Sequence, residues 1–380
     1  MNKKIVCLLL SLILLLSQTG CWSYRGLNEI TIIAGIGIDL DPKTKDYLVS
    51  CEIIDLTSTG KESGTKAKLV ESRGKTVMDA VRNAKKRLLN KLYWGNNEVL
   101  IFGNELAKSG DIGNVINWFL TDAECRETVC LVVSQEKTAK DLLSIYGLDN
   151  SVVAFEIKKI IADDENVVGT MENVQLFQAF SILNSPGRSL ALPAFRDVKN
   201  DEDIVAESNG EAVFKGDKLV GYLPPEESKY YLFAVDEIHG GILTTSSTDE
   251  DQTDVSLEIS KSKTKNSYSY ENGQLKFTIK IETEVAVDEM KPGVDLLDED
   301  TLEKIEQREQ KMIEERTESV IKKVQTQYNS DIFGFGNMIY KSDVKLWQQL
   351  EPEWDKIFPT IQVKVESKVN IVNTSFLKHS

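Results

Sequence analysis

Four kinds of side chain in this sequence could do chemistry: a cysteine behind an apolar leader, two histidines, paired carboxylates, and aromatics set among glycines. Cys21 follows Lys3-Lys4, an apolar run from Ile5 to Leu16 broken only by Ser11, and the small-residue patch Ser17-Gln18-Thr19-Gly20. Basic, then apolar, then small is the order of a secretory leader. A small residue directly before a cysteine is the arrangement in which a thiol takes a diacylglyceryl group before the leader is cut away. Gln18 stands three residues before the cysteine and Leu16 five before it. The alternatives are a plain secretory leader with an incidental Cys21, or an uncleaved anchor. The apolar run falls short of the roughly 20 residues a comfortable span needs. In each case residues 22–380 lie outside the cytoplasm, and lipidation is the preferred reading.

The other groups point to structure. His239 sits between Asp236-Glu237 and Gly240-Gly241, and His379 lies beside the C-terminus. His239 beside carboxylates would suit a general base, but no nucleophile or second metal ligand is near it in sequence, so it reads as a turn residue before a strand at Ile242. The spacings of zinc sites, P-loops and G-x-S-x-G elbows do not occur. Gly35-Ile-Gly37 lacks the third glycine of a nucleotide fingerprint and reads as close packing within a strand. Asp163-Asp164 and Glu314-Glu315 read as solvated faces rather than glycosidase-type pairs. Asp249-Glu-Asp251 lacks a calcium-loop register. Thus no catalytic, metal or cofactor-binding residue is expected. Phe333 and Phe335, within Asp331-Ile-Phe-Gly-Phe-Gly336, and Trp347 and Trp354 could form a ledge for a partner, or simply fill a core.

The elements that would position these groups follow from periodicity. Ile30–Asp39 and Tyr47–Leu56 read as a strand hairpin around Asp41-Pro42-Lys43, followed by a polar loop from Thr57 to Lys68. Val77, Val81, Ala84, Leu88 and Leu92 share a helical face, with Thr76 and Asp79 at its start. Val99–Phe102 and Thr128–Val133 are short strands, and Ile112, Val115, Ile116, Phe119 and Leu120 mark a helix. Further helices are expected around 138–146, 151–162 and 172–183, before a returning strand at Leu190–Arg196. The polar stretch Lys199–Asn209 is the expected boundary. Beyond it come strands at 211–214 and 218–223 and a helix from Pro225 to Val235. Three alternating stretches, around Leu257, Ile279 and Val365, read as half-buried antiparallel strands. A long helix with a narrow apolar seam spans Asp295–Tyr328. The fold class is therefore α+β, multi-domain, with mixed or antiparallel sheets and packed helices, and a C-terminal antiparallel sheet covered by the long helix. The expected division is a leader, 1–20; an N-terminal region, 21–198, in two subdomains (about 22–70 plus 186–198, and 71–185); and a C-terminal domain, 199–380.

Composition narrows the partners. The chain has 45 basic and 60 acidic residues, a formal charge of −15. Loss of residues 1–20 removes Lys3 and Lys4 and no acid, leaving 43 basic against 60 acidic residues, or −17. Such a body does not seek nucleic acid or anionic headgroups, whose phosphates need clustered Lys and Arg, and its acidity is expected to hold it off the lipid surface. Of five cysteines, Cys7 leaves with the leader and Cys21 is the lipid site. Cys51, Cys125 and Cys130 remain as free thiols, or with Cys125 and Cys130 bridged.

Several ordered motifs then carry a resemblance: Cys21-Trp22 with Leu27-Asn28-Glu29, Gly35-Ile-Gly-Ile-Asp39, Ser72-Arg-Gly-Lys-Thr76, Glu211–Tyr222, Ser256-Leu-Glu-Ile-Ser260, Asp331–Gly336, Trp347 and Trp354. Together they resemble the C subunits of spore germinant receptors, the GerAC-like lipoproteins of spore-forming bacteria. The likeness covers essentially all of the chain after the leader. It implies a non-enzymatic, three-domain α+β subunit, lipidated at Cys21 and held on the outer face of the spore inner membrane. It also implies partnership with membrane A and B subunits in nutrient-triggered germination, and leaves open whether the small-molecule germinant is met directly or only through them. No catalytic residue carries over, and the only cofactor-like group is the covalent lipid. A solute-binding lipoprotein of a transporter is the alternative; it would need two α/β lobes around a cleft.

Overall fold

The computed structural model describes residues 3–5, 30–55, 66–88, 90–145, 152–201, 203–246, 255–291 and 298–373. Cys21 and residues 57–65 of the polar loop lie outside them. Among the described residues no helix is long and apolar enough to cross a membrane.

A nine-stranded sheet dominates the first part of the chain. Its strands are β1 (Ile30–Leu40), β2 (Tyr47–Asp55), β3 (Lys66–Gly74), β4 (Lys91–Tyr93), β5 (Val99–Phe102), β6 (Cys130–Ser134), β7 (Ala191–Asn200), β8 (Asp203–Lys215) and β9 (Lys218–Leu223). Their order is β3-β2-β1-β5-β6-β7-β8-β9, with β4 beside the start of β1. β1, β5, β6 and β7 run parallel, and the flanking pairs are antiparallel. The parallel centre is buried on both faces, so β5 (Val-Leu-Ile-Phe) reads as an unbroken apolar run rather than an alternating one.

Helices cover both faces. On one lie α1 (Val77–Ala84), α2 (Asn104–Ser109) and α3 (Ile112–Thr121), packed against residues such as Ile38, Phe102 and Val133. On the other lie α4 (Ala139–Leu143) and α5 (Val153–Val167), against Val99, Ile101 and Val132. The helix α6 (Leu176–Leu183) joins the first layer. Thr76 caps α1 through the Asp79 N–H, as its position predicts. The helical face drawn to Leu92 is too long, however. α1 stops at Ala84, a 3-10 turn ends at Arg87, and Leu92 belongs to β4.

The nine-stranded sheet runs across the expected division. β5 and β6 from one expected subdomain lie between β1 and β7 of the other, because parallel pairing draws them into one ladder. The polar stretch 199–209 is the outer part of the β7–β8 hairpin, and the sheet continues through it to Leu223.

After α7 (Pro225–Val235), a second sheet forms from β10 (Ile242–Thr245), β11 (Val255–Glu271), β12 (Gln274–Met290) and β13 (Gln362–Asn373), in that order. β10, β11 and β12 are antiparallel, as their alternation suggests. β13 differs from expectation: it runs parallel to β12. The physical cause is the crossover through α8 (Glu299–Lys323) and the helices α9 (Phe335–Ser342) and α10 (Val344–Leu350), which returns the chain to the end where β12 began.

The long helix does more than cover a face. Glu306, Gln310, Glu314 and Glu318 accept the backbone N–H groups of Ile371, Val369, Ser367 and Val365, at 2.7, 3.3, 2.8 and 3.0 Å. Four helical residues rise about 6 Å and two strand residues about 6.6 Å, so successive partners stay in register along an antiparallel helix–strand contact. Glu314 is thereby an edge-strand partner and not simply a solvated residue.

Candidate functional site

The family-like motif at β1 is a packing and capping device. A Cβ on Gly35 would stand 2.6 Å from Ala154 Cβ, and one on Gly37 3.0 Å from Ala139 Cβ. The two glycines thus let α5 and α4 sit directly on the strand. The same strand pair holds both helix starts. Asp39 accepts the N–H groups of Ala139 and Lys140 at 2.8 and 3.3 Å. Glu52 accepts those of Val153 and Ala154 at 2.8 and 2.9 Å. Burial pushes the Asp39 carboxyl up to about 6 and that of Glu52 up to about 7, against the opposing pull of the N–H groups. Asp164 is also buried. It takes the N–H groups of Thr170 and Met171 and the Thr170 hydroxyl, so it does not belong to a solvated face. The nearly invisible partner here is Glu52, whose bonds reach 101 and 102 residues along the chain.

The aromatic–glycine motif joins the two halves. The Asp331 carboxylate accepts the N–H groups of Phe335 and Gly336 at 3.0 and 2.8 Å, fixing the start of α9, and Gly334 takes a left-handed φ of +72° there. Burial raises Asp331 to about 7, the N–H groups opposing it. Phe335 stacks on Phe277 at 4.2 Å and on Phe333 at 5.4 Å, and Trp347 meets Trp354 edge-on at 5.1 Å. Phe333, Phe335 and Trp347 are buried. The exposed partner ledge drawn from these aromatics is therefore corrected: three of the four fill the core of the C-terminal half, since the turn folds them under α9 and α10. Trp354 alone stays half-buried.

From this turn, bonds cross to the nine-stranded sheet and its preceding loop. Ser189 N–H donates to the Asp331 carbonyl (2.8 Å), and Asn337 donates its N–H to the Gly187 carbonyl (2.7 Å) and its side-chain amide to that of Pro186 (2.9 Å). The Ser330 hydroxyl donates to the Phe214 carbonyl, and that of Tyr328 to the Tyr222 carbonyl. A Cβ on Gly336 would stand 2.6 Å from the Trp347 ring and 2.8 Å from Gly187 Cα, so glycine is needed for the approach. Beside the weld lies a cleft of about 210 Å³ with Arg188, Lys215, Asp331, Trp354, Asp355 and Phe358 on its walls. Lys215 and Asp355 pair across it at 3.0 Å. Both Asp331 oxygens are already engaged, so the cleft offers charge and ring surface rather than a free base.

The remaining candidates fall apart chemically. His239 is half-exposed, 3.6 Å from Glu237 and 3.8 Å from Glu165, just ahead of β10. Cys51, Cys125 and Cys130 are free thiols, with Cys51 and Cys130 buried, so the Cys125–Cys130 bridge is not formed. Among the described residues no group of three or more His, Cys, Asp or Glu side chains could hold a metal ion.

Two family models match in tandem. The spore germination protein N-terminal domain spans residues 23–197, and the spore germination B3/GerAC-like C-terminal domain spans 209–375. The chain belongs to the GerAC-like family of spore germination proteins. Spore germination protein KC of Bacillus subtilis (strain 168) is 24% identical, over 98% of this chain and 97% of its own length. Spore germination protein B3 of the same organism is also 24% identical, over 95% of each. The crystal structure of the GerBC protein superposes with a TM-score of 0.59 at 22% identity, covering 89% of this chain and 97% of that one. The fold is thus shared over most of the chain. Its motifs at Gly35–Asp39 and Asp331–Gly336 hold helices, strands and the two halves together.

Proposed function

We propose that this GerAC-like chain is the lipid-anchored, non-enzymatic C subunit of a spore germinant receptor. It acts with membrane A and B subunits in nutrient-triggered germination, on the outer face of the spore inner membrane. The observation that carries the reading is the position of the family match. It begins at residue 23, two residues after Cys21, and runs through the GerAC-like C-terminal domain to residue 375. Two acyl chains on Cys21 hold a protein at a bilayer where a single chain binds marginally. The non-enzymatic part is supported by four of the buried carboxylates, Asp39, Glu52, Asp164 and Asp331, which hold backbone N–H groups. A transporter's solute-binding lipoprotein fits less well, because one sheet runs from β3 to β9 where that reading needs two lobes around a cleft.

Two measurements test this. Cys21→Ala should move the protein from the membrane fraction to the soluble one and slow germination; undiminished membrane retention overturns the anchor. Affinity capture from detergent-solubilised spore membranes should bring down polytopic A and B subunits, and capture of neither overturns the receptor assignment.

A further inference from the structure

The acids and bases of this chain are unevenly placed. Between Asp79 and Glu98 there is no acid, and Arg82, Lys85, Lys86, Arg87 and Lys91 fall within ten residues. In a chain with 60 acids against 45 bases, that is the reverse of the overall balance. The run covers the end of α1, the 3-10 turn Lys85–Arg87 and the start of β4. Arg82, Lys85, Lys86 and Arg87 are all exposed. Of the acids around it, Glu71 pairs with Lys140 at 2.9 Å, Glu124 pairs with Lys91, and Asp79 accepts the Lys75 N–H and the Asn83 amide; within the run Lys85 donates to the Leu88 carbonyl at 3.3 Å and Arg87 to the Glu71 carbonyl. Two exposed side chains of interfacial character flank the run, Met78 at 42% and Tyr93 at 38% exposure. Met78, Arg82 and Lys85 fall at helical spacing on one face.

The fold brings this run to the point where the chain leads back to the anchor. β4 lies parallel to the first residues of β1, with Lys91 opposite Ile30, and the Asn90 amide donates to the Ile30 carbonyl at 3.5 Å. Ile30 lies nine positions after Cys21, a reach of at most about 30 Å when fully extended. A lipid on Cys21 therefore tethers the basic run within reach of the bilayer, so that some orientations of the body bring it to the surface.

We propose that the surface formed by Arg82, Lys85, Lys86, Arg87 and Tyr93 is a docking face for anionic phospholipid headgroups, which orients the body on the membrane beside its anchor. The proposal rests on the lipid-anchor reading for its geometry and not for its chemistry. Clustered Lys and Arg next to a membrane attachment are attracted to an anionic surface, each with a modest increment. The net acidity of the body does not cancel this, because charges more than about 10 Å from the lipid are screened at physiological ionic strength. Acids elsewhere then act as a repulsive rim that disfavours the other orientations.

The test uses the mature chain from residue 21 with Cys21→Ser, free of lipid, and sedimentation with vesicles of phosphatidylcholine alone or of equal parts phosphatidylcholine and phosphatidylglycerol. Binding is expected to the second vesicle and not the first, and to fall as salt is raised. Arg82→Gln with Lys86→Gln should weaken it by about thirtyfold, given about fivefold per basic residue. Lys86→Gln alone gives a second reading if the double variant melts early. Equal binding to both vesicles, no binding to either, or no change in the variants overturns the proposal. So does a double variant that keeps its vesicle binding but loses capture of the A or B subunit, which would make the patch a protein contact. Membrane release of Cys21→Ala bears on the anchor alone, so either idea can fail without the other.

Discussion

The two sheets of this protein finish their unpaired backbone groups in opposite directions. In the nine-stranded sheet, carboxylates leave the strands to hold helices: Asp39 on β1 caps α4, and Glu52 on β2 caps α5. In the four-stranded sheet, a helix sends carboxylates and an amide to a strand, with α8 lining the free edge of β13. Burial differs accordingly. Asp39 and Glu52 are shut between the sheet and the helices on one of its faces, at 6% and 2% exposure, whereas the α8 ladder lies at a part-buried rim. A few deep bonds therefore carry much of the fixing in the first half, and several shallow ones share it in the second. That contrast predicts large single-site effects on one side and small, additive ones on the other.

The largest effect belongs to Glu52. Removing its carboxylate by Glu52→Ala leaves the buried N–H groups of Val153 and Ala154 without partners, each costing about 1–3 kcal/mol. The expected loss of stability is about 4 kcal/mol, read as a drop in the denaturant midpoint at constant slope. A loss below about 1 kcal/mol, within the range of surface substitutions, would break the contrast.

Next comes the pH response. Buried carboxyls raised above their unfolded values bind protons more readily in the native state, so stability is full below the unfolded value and is lost as pH rises through the folded one. For Glu52 that window runs from 4.5 to about 7. A shift of that size corresponds to about 3 kcal/mol. Unfolding free energy should therefore fall as pH climbs from 4.5 to 7, and Glu52→Gln should flatten part of that fall. A profile that rises through the same window in both proteins would sink the idea.

The weld between the halves should respond less. Gly336→Ala places a methyl against the Trp347 ring and Gly187 Cα, and overpacking of this kind costs about 1–3 kcal/mol. Calorimetry should show a lowered Tm, and the change should make the two halves melt less cooperatively. An unaltered Tm would mean that the approach at Gly187 is looser than the cross-half bonds imply.

How far these features could be read in the chain follows from their range. Short-range patterns were plain: the alternation of Leu275, Phe277, Ile279 and Ile281 is a strand with one buried face, and Pro225 opens a helix where it stands. Long-range pairing was not. Lys66–Gly74 has too little apolar periodicity to announce a strand, and it exists because β2 offers it a ladder. Asp39 looked like the end of a strand, because its N–H partners lie about 100 residues on. The Leu92 side chain kept a helical spacing but belongs to β4, since Leu88 breaks to an extended conformation after the 3-10 turn. The aromatics of 333–354 carried their type in the sequence and not their depth; only the turn capped by Asp331 turns them inward. The ladder did leave a trace: Glu306, Gln310, Glu314 and Glu318 recur every four residues, a polar stripe that needs a row of donors opposite it.

That stripe gives the smallest effect and the sharpest test of the contrast. Each bond joins a half-exposed side chain to one strand N–H, so water can replace it at little cost, and a contribution of about 1 kcal/mol is expected from each glutamate. Gln310, at 3.3 Å and uncharged, should contribute least. Glu314→Ala alone should then lower stability by about 1 kcal/mol, and Glu314→Ala with Glu318→Ala by about twice that, since each rung holds its own strand N–H. Amide hydrogen exchange gives the local readout: Ser367 should lose protection in the first variant, and Val365 as well in the second. A single substitution that exposed the whole of β13 would show the ladder to be one cooperative unit, and the difference between the two sheets would then be one of burial alone.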